Sequence, residues 1–385
     1  MTIRGKAHIV GAYEHPARRL PHSTVPRIHA EVITGALADA GLTLDDVDGF
    51  FCDGTVGFGP ISMVEYLGLH VGYVDSTEIG GSSYVAHVGH AATAIAEGKC
   101  SIALVSLAGI ATLGGAGRPG RAFPEGPFEN IWGLTGPVSN YAIAAQRHMY
   151  EFGTTSAQLA EIKVAASLHA QHNPNAVLQN PVTVDEVLDS PMIADPLHRL
   201  DCCVVTDGGG AVVVARAEIA RDLARRSVKV LGHGEAVKHT DNGRVDVTYS
   251  GAVWSGARAF AEAGVAPADI DYASIYDSFT ITVLECIEDL GFCDKGKGGS
   301  FVLDGALVAP DGRLPFNTDG GGLCNNHPGN RGGMTKIIEA VRQLRRETHP
   351  AVQVPDCALA IAHGTGGALS TRMGSATLVL GREDA

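Results

Sequence analysis

The stretch Asn317–Gly333, Asn-Thr-Asp-Gly-Gly-Gly-Leu-Cys-Asn-Asn-His-Pro-Gly-Asn-Arg-Gly-Gly, sets one histidine, His327, and its neighbour Pro328 among six glycines. Directly behind it runs a helical pattern, Met334-Thr-Lys-Ile-Ile-Glu-Ala-Val-Arg-Gln-Leu-Arg, with apolar Ile337, Ile338, Val341 and Leu344 at i, i+1, i+4 and i+7. Glycines let a backbone turn tightly and approach a ligand closely, and the start of a helix offers N–H groups with no partner inside the helix. A histidine at this junction is placed for proton transfer or for donation to a substrate oxygen.

The surrounding chain is a large α/β body. It has 385 residues, 45% of them hydrophobic and 18% charged, enough for a sizeable core. Its 49 glycines gather in runs without a fixed period, which predicts tight loops. No apolar run approaches the roughly 20 residues needed to cross a bilayer. The N-terminus, Met-Thr-Ile-Arg-Gly-Lys-Ala-His-Ile-Val, reads as a first strand and lacks a signal-peptide pattern, so the expectation is a cytoplasmic protein that does not engage a membrane. None of the eight cysteines forms a Cys-x-x-Cys pair, so free thiols are expected and no metal site. A net charge of −13 argues against nucleic acid, whose binding rests on a basic face. Arg118 and Arg121 are the few candidates for a local basic patch.

Taken in order, Ala7–Ala12 reads as a buried strand, and Ile28–Ala40 as a helix stopped by Gly41. Val47–Gly54 reads as a second strand. A helix over Tyr84–Ala96 is followed by Ser101–Ala108, a continuous apolar run suited to a sheet covered on both faces. Gly109–Gly136, with Phe123, Phe128 and Trp132, reads as an inserted loop excursion. Helices are expected at 137–152 and 156–172. Cys202–Ala215 reads as two short strands around a glycine turn, before a helix over Ile219–Arg225. From Val228 the pattern restarts: strand 228–232, helix 250–264, strand Ala273–Asp277, helix 280–290, the His327 loop, helix 334–346, and strands 357–362 and 375–380. Repetition of this kind implies two βα-rich halves, residues 1–225 with a loop and helical insertion at about 109–200, and residues 226–385.

Four loops carry polar residues at a strand end or helix start: Gly80-Gly-Ser-Ser, Tyr276-Asp-Ser-Phe, the His327 loop and Ala362-His-Gly-Thr-Gly-Gly. Such junctions are where α/β sheets hold ligands. These blocks resemble the thiolase superfamily. Asn326-His-Pro-Gly-Asn-Arg-Gly-Gly is similar to its Gly-His-Pro-x-Gly-x-x-Gly block, keeping His327, Pro328 and Gly333 but carrying Asn326 and Asn330 where the family has glycine. Ala362-His-Gly-Thr-Gly-Gly resembles its terminal Cys-x-Gly-Gly-Gly block. His148-Met149 with Phe152-Gly-Thr-Thr, and Asn173-Pro174, resemble the sterol-carrier-type members in particular. The resemblance implies a duplicated, five-layered αβαβα fold with an inserted loop domain.

It also shows what is missing. The family's nucleophilic cysteine falls on Gly81, followed by Ser82 and Ser83, which read as helix N-caps. The second catalytic cysteine is replaced by His363, and the family's Asn-Glu-Ala-Phe or His-Asp-Cys-Phe block becomes Tyr276-Asp277-Ser278-Phe279. A thiolase needs a thiolate to carry an acyl group between half-reactions. Retro-aldol cleavage of a β-hydroxyacyl thioester needs only a base for the hydroxyl proton and donors for the enolate oxygen. The chain resembles the thiolase-like aldolases that cut steroid side-chain CoA thioesters in lacking the cysteine and relying on tyrosine.

The expected roles are therefore Tyr276 for proton transfer with Asp277 setting its surroundings, His327 as donor to the enolate oxygen, and His363 as a second acid or base. Gly81 and Thr365 are expected at an oxyanion site, with Ser82 and Asn326 beside the substrate. The resemblance implies an acyl-CoA substrate, no cofactor beyond that coenzyme A, a homodimer, and a small zinc-ribbon/OB-fold partner subunit. Two other readings stay open: acyl transfer that recruits Cys324, the thiol three residues before His327, and a non-catalytic subunit that binds acyl-CoA.

Overall fold

The apolar run after Ser101 is covered on both sides. Ile102 and Leu104 point into one buried cluster while Ala103, Val105 and Leu107 point into another, the two-residue alternation of a strand between two helical layers. The computed structural model describes residues 2–111, 126–134, 136–238, 246–329, 331–369 and 373–384.

Its elements begin with β1 (Ala7–Glu14), α1 (Val25–Ala40), β2 (Gly49–Cys52), α2 (Pro60–Leu67), β3 (Tyr73–Asp75), α3 (Ser83–Ala96) and β4 (Ile102–Ile110). There follow α4 (Gly126–Ile131), α5 (Pro137–Phe152), α6 (Ser156–Ala170), α7 (Val184–Leu188), the small pair β5 (Met192–Ala194) and β6 (Leu197–His198), β7 (Asp207–Arg216) and α8 (Ala217–Asp222). The remainder is β8 (Val228–Lys238), α9 (Ala252–Ala263), β9 (Tyr272–Ile275), α10 (Thr280–Asp289), α11 (Gly298–Phe301), α12 (Gly333–Arg345), β10 (Leu359–Gly367) and β11 (Met373–Arg382).

Among the described residues, nine strands join in one mixed sheet in the order β3-β2-β4-β7-β1-β8-β11-β10-β9. In that order β1 and β8 pair antiparallel at His8–Lys229 and Ile9–Val228, which makes a junction between the strands from β3 to β1 and those from β8 to β9. The sheet folds around α3 and α12, whose Val85, Val88, Ile95, Ile337, Val341 and Leu344 pack against strands from both sides of that junction. Outside lie α1 and α2 on one flank, and α9 and α10 with α5 and α6 on the other. Alternation is strict where it can be checked: Ala360, Ala362, Leu378 and Leu380 face α3 and α12, whereas Ile361 and Val379 face the outer helices. The expected αβαβα layering is present.

Several local readings need correction. Residues 207–216 form one strand, and the glycines read as a turn lie within it. A Cβ at Gly209 would sit 2.0 Å from the Leu107 carbonyl oxygen and one at Gly210 would sit 2.6 Å from Ile338 Cδ1, so small residues let β7 press against β4 and α12. Strand β10 runs on to Gly367, which puts His363 and Thr365 inside it and not in a loop after it. Ser82 takes the N-cap position of α3 but makes no capping bond there: Ser82 Oγ donates to the Ile79 carbonyl and Ser83 Oγ to the Gly80 carbonyl, both turned back toward the preceding 3-10 turn. Arg118, Arg121 and Phe123 lie outside the described residues, as does the side chain of Phe128.

One latch across the junction is titratable. His90 on α3 reaches Asp75 on β3 through Nδ1 at 2.5 Å and Glu235 on β8 through Nε2 at 3.1 Å. Burial alone would lower its pKa, but the two carboxylates more than offset this and lift it to about 9. A group raised above its unfolded value of about 6.5 stabilises fully below that pH and loses its contribution as pH rises through the folded value. His90→Gln is therefore expected to cost about 1–2 kcal/mol at pH 6, after screening of these partly open pairs, and little at pH 10, as read by urea unfolding at both pH values.

Candidate functional site

Tyr276 leaves the end of β9, where its backbone N–H donates to the His363 carbonyl at 3.0 Å and so fixes the side chain at a sheet terminus. The ring is buried. Its Oη lies 2.7 Å from His327 Nε2, with the two rings near perpendicular at 77°, and it accepts the Gly332 N–H at 3.3 Å. His327 is held from behind. Its backbone N–H donates to Thr206 Oγ1 at 2.9 Å, the Thr206 hydroxyl donates to Asn326 Oδ1 at 2.7 Å, and Asn326 Nδ2 donates to Glu14 at 2.7 Å. Asn326 is thus spent on holding the histidine loop, where the sequence suggested substrate contact. At the loop's far end, Arg331 pairs with Asp53 at 2.6 Å and Glu78 at 2.9 Å, and Asp53 also accepts from the Tyr84 phenol of α3. Asn330 lies outside the described residues.

Residues Gly321–Asn325 form a single wide turn of π type. Asp277 is the reason it holds. Its carboxylate accepts the Gly322 N–H at 2.8 Å and the Leu323 N–H at 3.1 Å, and Lys336 Nζ sits 2.7 Å from the same group. Gly321 has φ +60°, and a Cβ there would fall 2.1 Å from Asp277 Oδ2, so only glycine admits the carboxylate. Both charges of the Asp277–Lys336 pair are 1% exposed. Burial disfavours the ammonium, but Asp277 and Asp319 outweigh it and the Lys336 pKa rises. Removing one partner of such a pair costs about 3–5 kcal/mol, because the other is left buried and unpaired.

Gly81 shows why no nucleophile stands in its usual place. A Cβ at residue 81 would lie 2.5 Å from both Cε2 and Oη of Tyr276 and 2.6 Å from the Thr365 carbonyl oxygen. The phenol occupies the volume a cysteine side chain would need. Gly81, Thr365, Tyr276 and His327 therefore converge, while Ser82 is buried beside them and bonded to its own turn. His363 adjoins Tyr276 through its backbone, but its imidazole turns to Thr377 Oγ1 at 2.9 Å, and burial lowers its pKa to about 3. It is a neutral, interior imidazole at physiological pH.

Burial also pushes the Tyr276 phenol well above its ordinary pKa, with the Gly332 N–H opposing, so the resting group is a neutral donor. Cys324 is packed away from His327, with Lys163 Nζ 3.1 Å from its sulfur, and burial raises its pKa. The thiol that does meet the histidine is Cys203, whose Sγ lies 3.5 Å from His327 Nδ1. The sequence reading missed Cys203, Thr206 and Lys336. Cys203 and Thr206 stand more than 120 residues before His327, and nothing in local spacing links the two; Lys336 hid in an amphipathic helix as one more polar residue. Among the described residues, no three His, Cys, Asp or Glu side chains converge as a metal site.

The family described as thiolase C-terminal domain-like matches residues 234–382. An acetyl-CoA acetyltransferase of Methanothermobacter thermautotrophicus is 34% identical over 344 residues, spanning 86% of this chain and 89% of that one. The 17-hydroxy-3-oxo-4-pregnene-20-carboxyl-CoA lyase of Mycobacterium tuberculosis is 33% identical, spanning 89% and 92%. A solved structure described as the Ltp2-ChsH2(DUF35) aldolase is 30% identical, covers 99% of each chain and superposes with a TM-score of 0.91. Identity at this level over most of both chains, on this layered fold, establishes that the protein belongs to the thiolase superfamily.

Proposed function

We propose that this chain is a carbon–carbon lyase that cleaves a β-hydroxyacyl-CoA thioester by a retro-aldol reaction, without a cysteine nucleophile and with no cofactor beyond the coenzyme A of its substrate. The observation that carries this reading is the Tyr276 phenol packed into the space at Gly81 and bonded to His327. The substrate's β-hydroxyl proton passes to Tyr276 Oη as the phenolic proton passes to His327 Nε2. The electrons of the broken O–H bond form the new carbonyl, the Cα–Cβ bond breaks, and its electron pair moves onto the thioester oxygen as an enolate. Backbone N–H groups around Gly81 and Thr365 take that oxyanion. The proton then returns from His327 through Tyr276 to Cα, and an acyl-CoA shortened by the carbonyl fragment leaves. In this scheme His327 is the proton store behind Tyr276, since that phenol already takes its Nε2, and the enolate donor role assigned from sequence falls to the backbone.

The steroid-type CoA lyase and the aldolase structure among the relatives support the reaction class and a bulky acyl group. The DUF35 component named with that structure supports a partner subunit of the same kind. A homodimer is supported by the edge strand β3, on which Val74 is exposed, and by the exposed apolar side chains Phe58, Ile61 and Tyr66 on and just before α2. Eight free thiols suit a reducing cytoplasm, and among the described residues no helix is long and apolar enough to cross a membrane. A second reading, acyl transfer, is favoured by one observation, the Cys203 thiol beside His327, and by the acetyltransferase relative. Burial counts against it by pushing that thiol up to about 12, far from a ready thiolate.

Tyr276→Phe is expected to lower kcat about 10²–10³-fold with the fold intact by circular dichroism, while Cys324→Ala stays near wild type. The opposite pattern, or an acyl group trapped on Cys203 by mass spectrometry after incubation with acyl-CoA, ends the aldolase assignment. Gly81→Ala drives a methyl group into the phenol, and a stability loss of about 1–3 kcal/mol together with lost turnover is expected in denaturant titration and assay.

A further inference from the structure

Residues 202–206 grip the histidine loop at two points. The segment is docked on both sides: Cys203 N–H donates to the Ser278 carbonyl at 2.9 Å, in the turn that carries Tyr276, and Val204 N–H donates to the Gly322 carbonyl at 2.9 Å, in the wide turn. From that fixed backbone, Thr206 accepts the His327 backbone N–H, and Cys203 presents its sulfur to the ring at Nδ1. One five-residue segment thus sets both the position of His327 and the environment of the ring nitrogen that faces away from Tyr276.

Two tautomers of His327 can be set against these contacts. Tyr276 Oη already accepts the Gly332 N–H. If Nε2 carried the imidazole proton, a second N–H would point at Oη, the phenolic hydrogen would have to turn elsewhere, and Nδ1 would accept the weak S–H donor. If Nδ1 carries it, Nδ1–H donates to the thiol sulfur and the phenol donates to Nε2. The second arrangement pairs the stronger donor, the phenol, with the stronger acceptor, the bare imidazole nitrogen, across the 2.7 Å between Oη and Nε2. The second also leaves a base behind the phenol. A thiol kept neutral by burial retains lone pairs to accept.

We infer that Cys203 is a positioning residue for the reaction: its sulfur accepts the Nδ1–H of His327, keeps the resting proton off Nε2, and so leaves that nitrogen open to the Tyr276 proton. Holding a histidine's far nitrogen to fix its tautomer is how enzymes commonly orient imidazole. The inference rests on the retro-aldol reading for its consequence in turnover, but not for the tautomer itself.

The test is ¹⁵N NMR of the full chain labelled at histidine, with the His327 signals assigned by their loss in His327→Gln. At pH 7 the wild type should show His327 protonated on Nδ1 and bare on Nε2, and Cys203→Ala should move the proton toward Nε2. In the same variants, Cys203→Ala should lower kcat about 10–100-fold with KM within about twofold, whereas Cys203→Ser, whose hydroxyl also accepts, should stay within about threefold of wild type. A wild-type His327 protonated on Nε2 overturns the inference. So does a Cys203→Ala protein with unchanged tautomer and kcat, or a Cys203→Ser protein as impaired as Cys203→Ala. Should Tyr276→Phe prove fully active, the aldolase reading fails, and the NMR result still decides what Cys203 does.

Discussion

The 2.7 Å hydrogen bond between Tyr276 and His327 is the contact the rest of the site depends on. A phenol removed from water has little tendency to ionise, and burial drives Tyr276 further that way. It becomes useful as a base only when a second group stands ready to receive its proton in the same step. The fold supplies that group by bringing together the end of β9, the wide turn before His327, and the segment ahead of β7. The segment ahead of β7 is tied to both of the others by backbone hydrogen bonds, and the Asp277 carboxylate ties the end of β9 to the wide turn, so the pair is set by the scaffold and not by side-chain mobility.

That scaffold is paid for in buried charge. The Asp277–Lys336 pair lies fully inside, and a further chain runs from Glu14 through Arg18 and Asn325 to Asp319, bracketing the wide turn from its other side. Interior ion pairs of this kind recover their desolvation cost only with complete hydrogen bonding, and here Asp277 also caps the Gly322 and Leu323 N–H groups. Both sets of charges lie against the wide turn before His327, and around them the strands meet the central helices through aliphatic side chains.

The layered fold was largely legible because its signals are local. A continuous apolar run marked β4, Gly41 closed α1 with a left-handed turn, and the amphipathic stretch after Gly333 marked α12. The errors came where a local signal had a non-local cause. Gly208–Gly210 looked like a turn because glycine often makes one, but here it is small so that β7 can touch a neighbouring strand and α12. At the site, Tyr276, Asp277, His327 and Gly81 were legible through motif order. Cys203 and Thr206 were not, since their partner is distant in the chain, and His363 was assigned a role its interior setting does not favour. The same limit separated Cys324, near His327 in sequence, from Cys203, near it in space.

The absence of room for a thiol at residue 81 is the point on which function turns, because it divides bond cleavage by proton transfer from cleavage by acyl transfer. The most direct measurement is a comparison of the two reactions by the purified chain, supplied with a DUF35-type partner subunit in parallel. β-Hydroxyacyl-CoA should yield a free aldehyde or ketone and a shortened acyl-CoA, and β-ketoacyl-CoA with added coenzyme A should yield no thiolysis. Thiolysis of the β-ketoacyl-CoA with no cleavage of any β-hydroxyacyl-CoA would contradict this account.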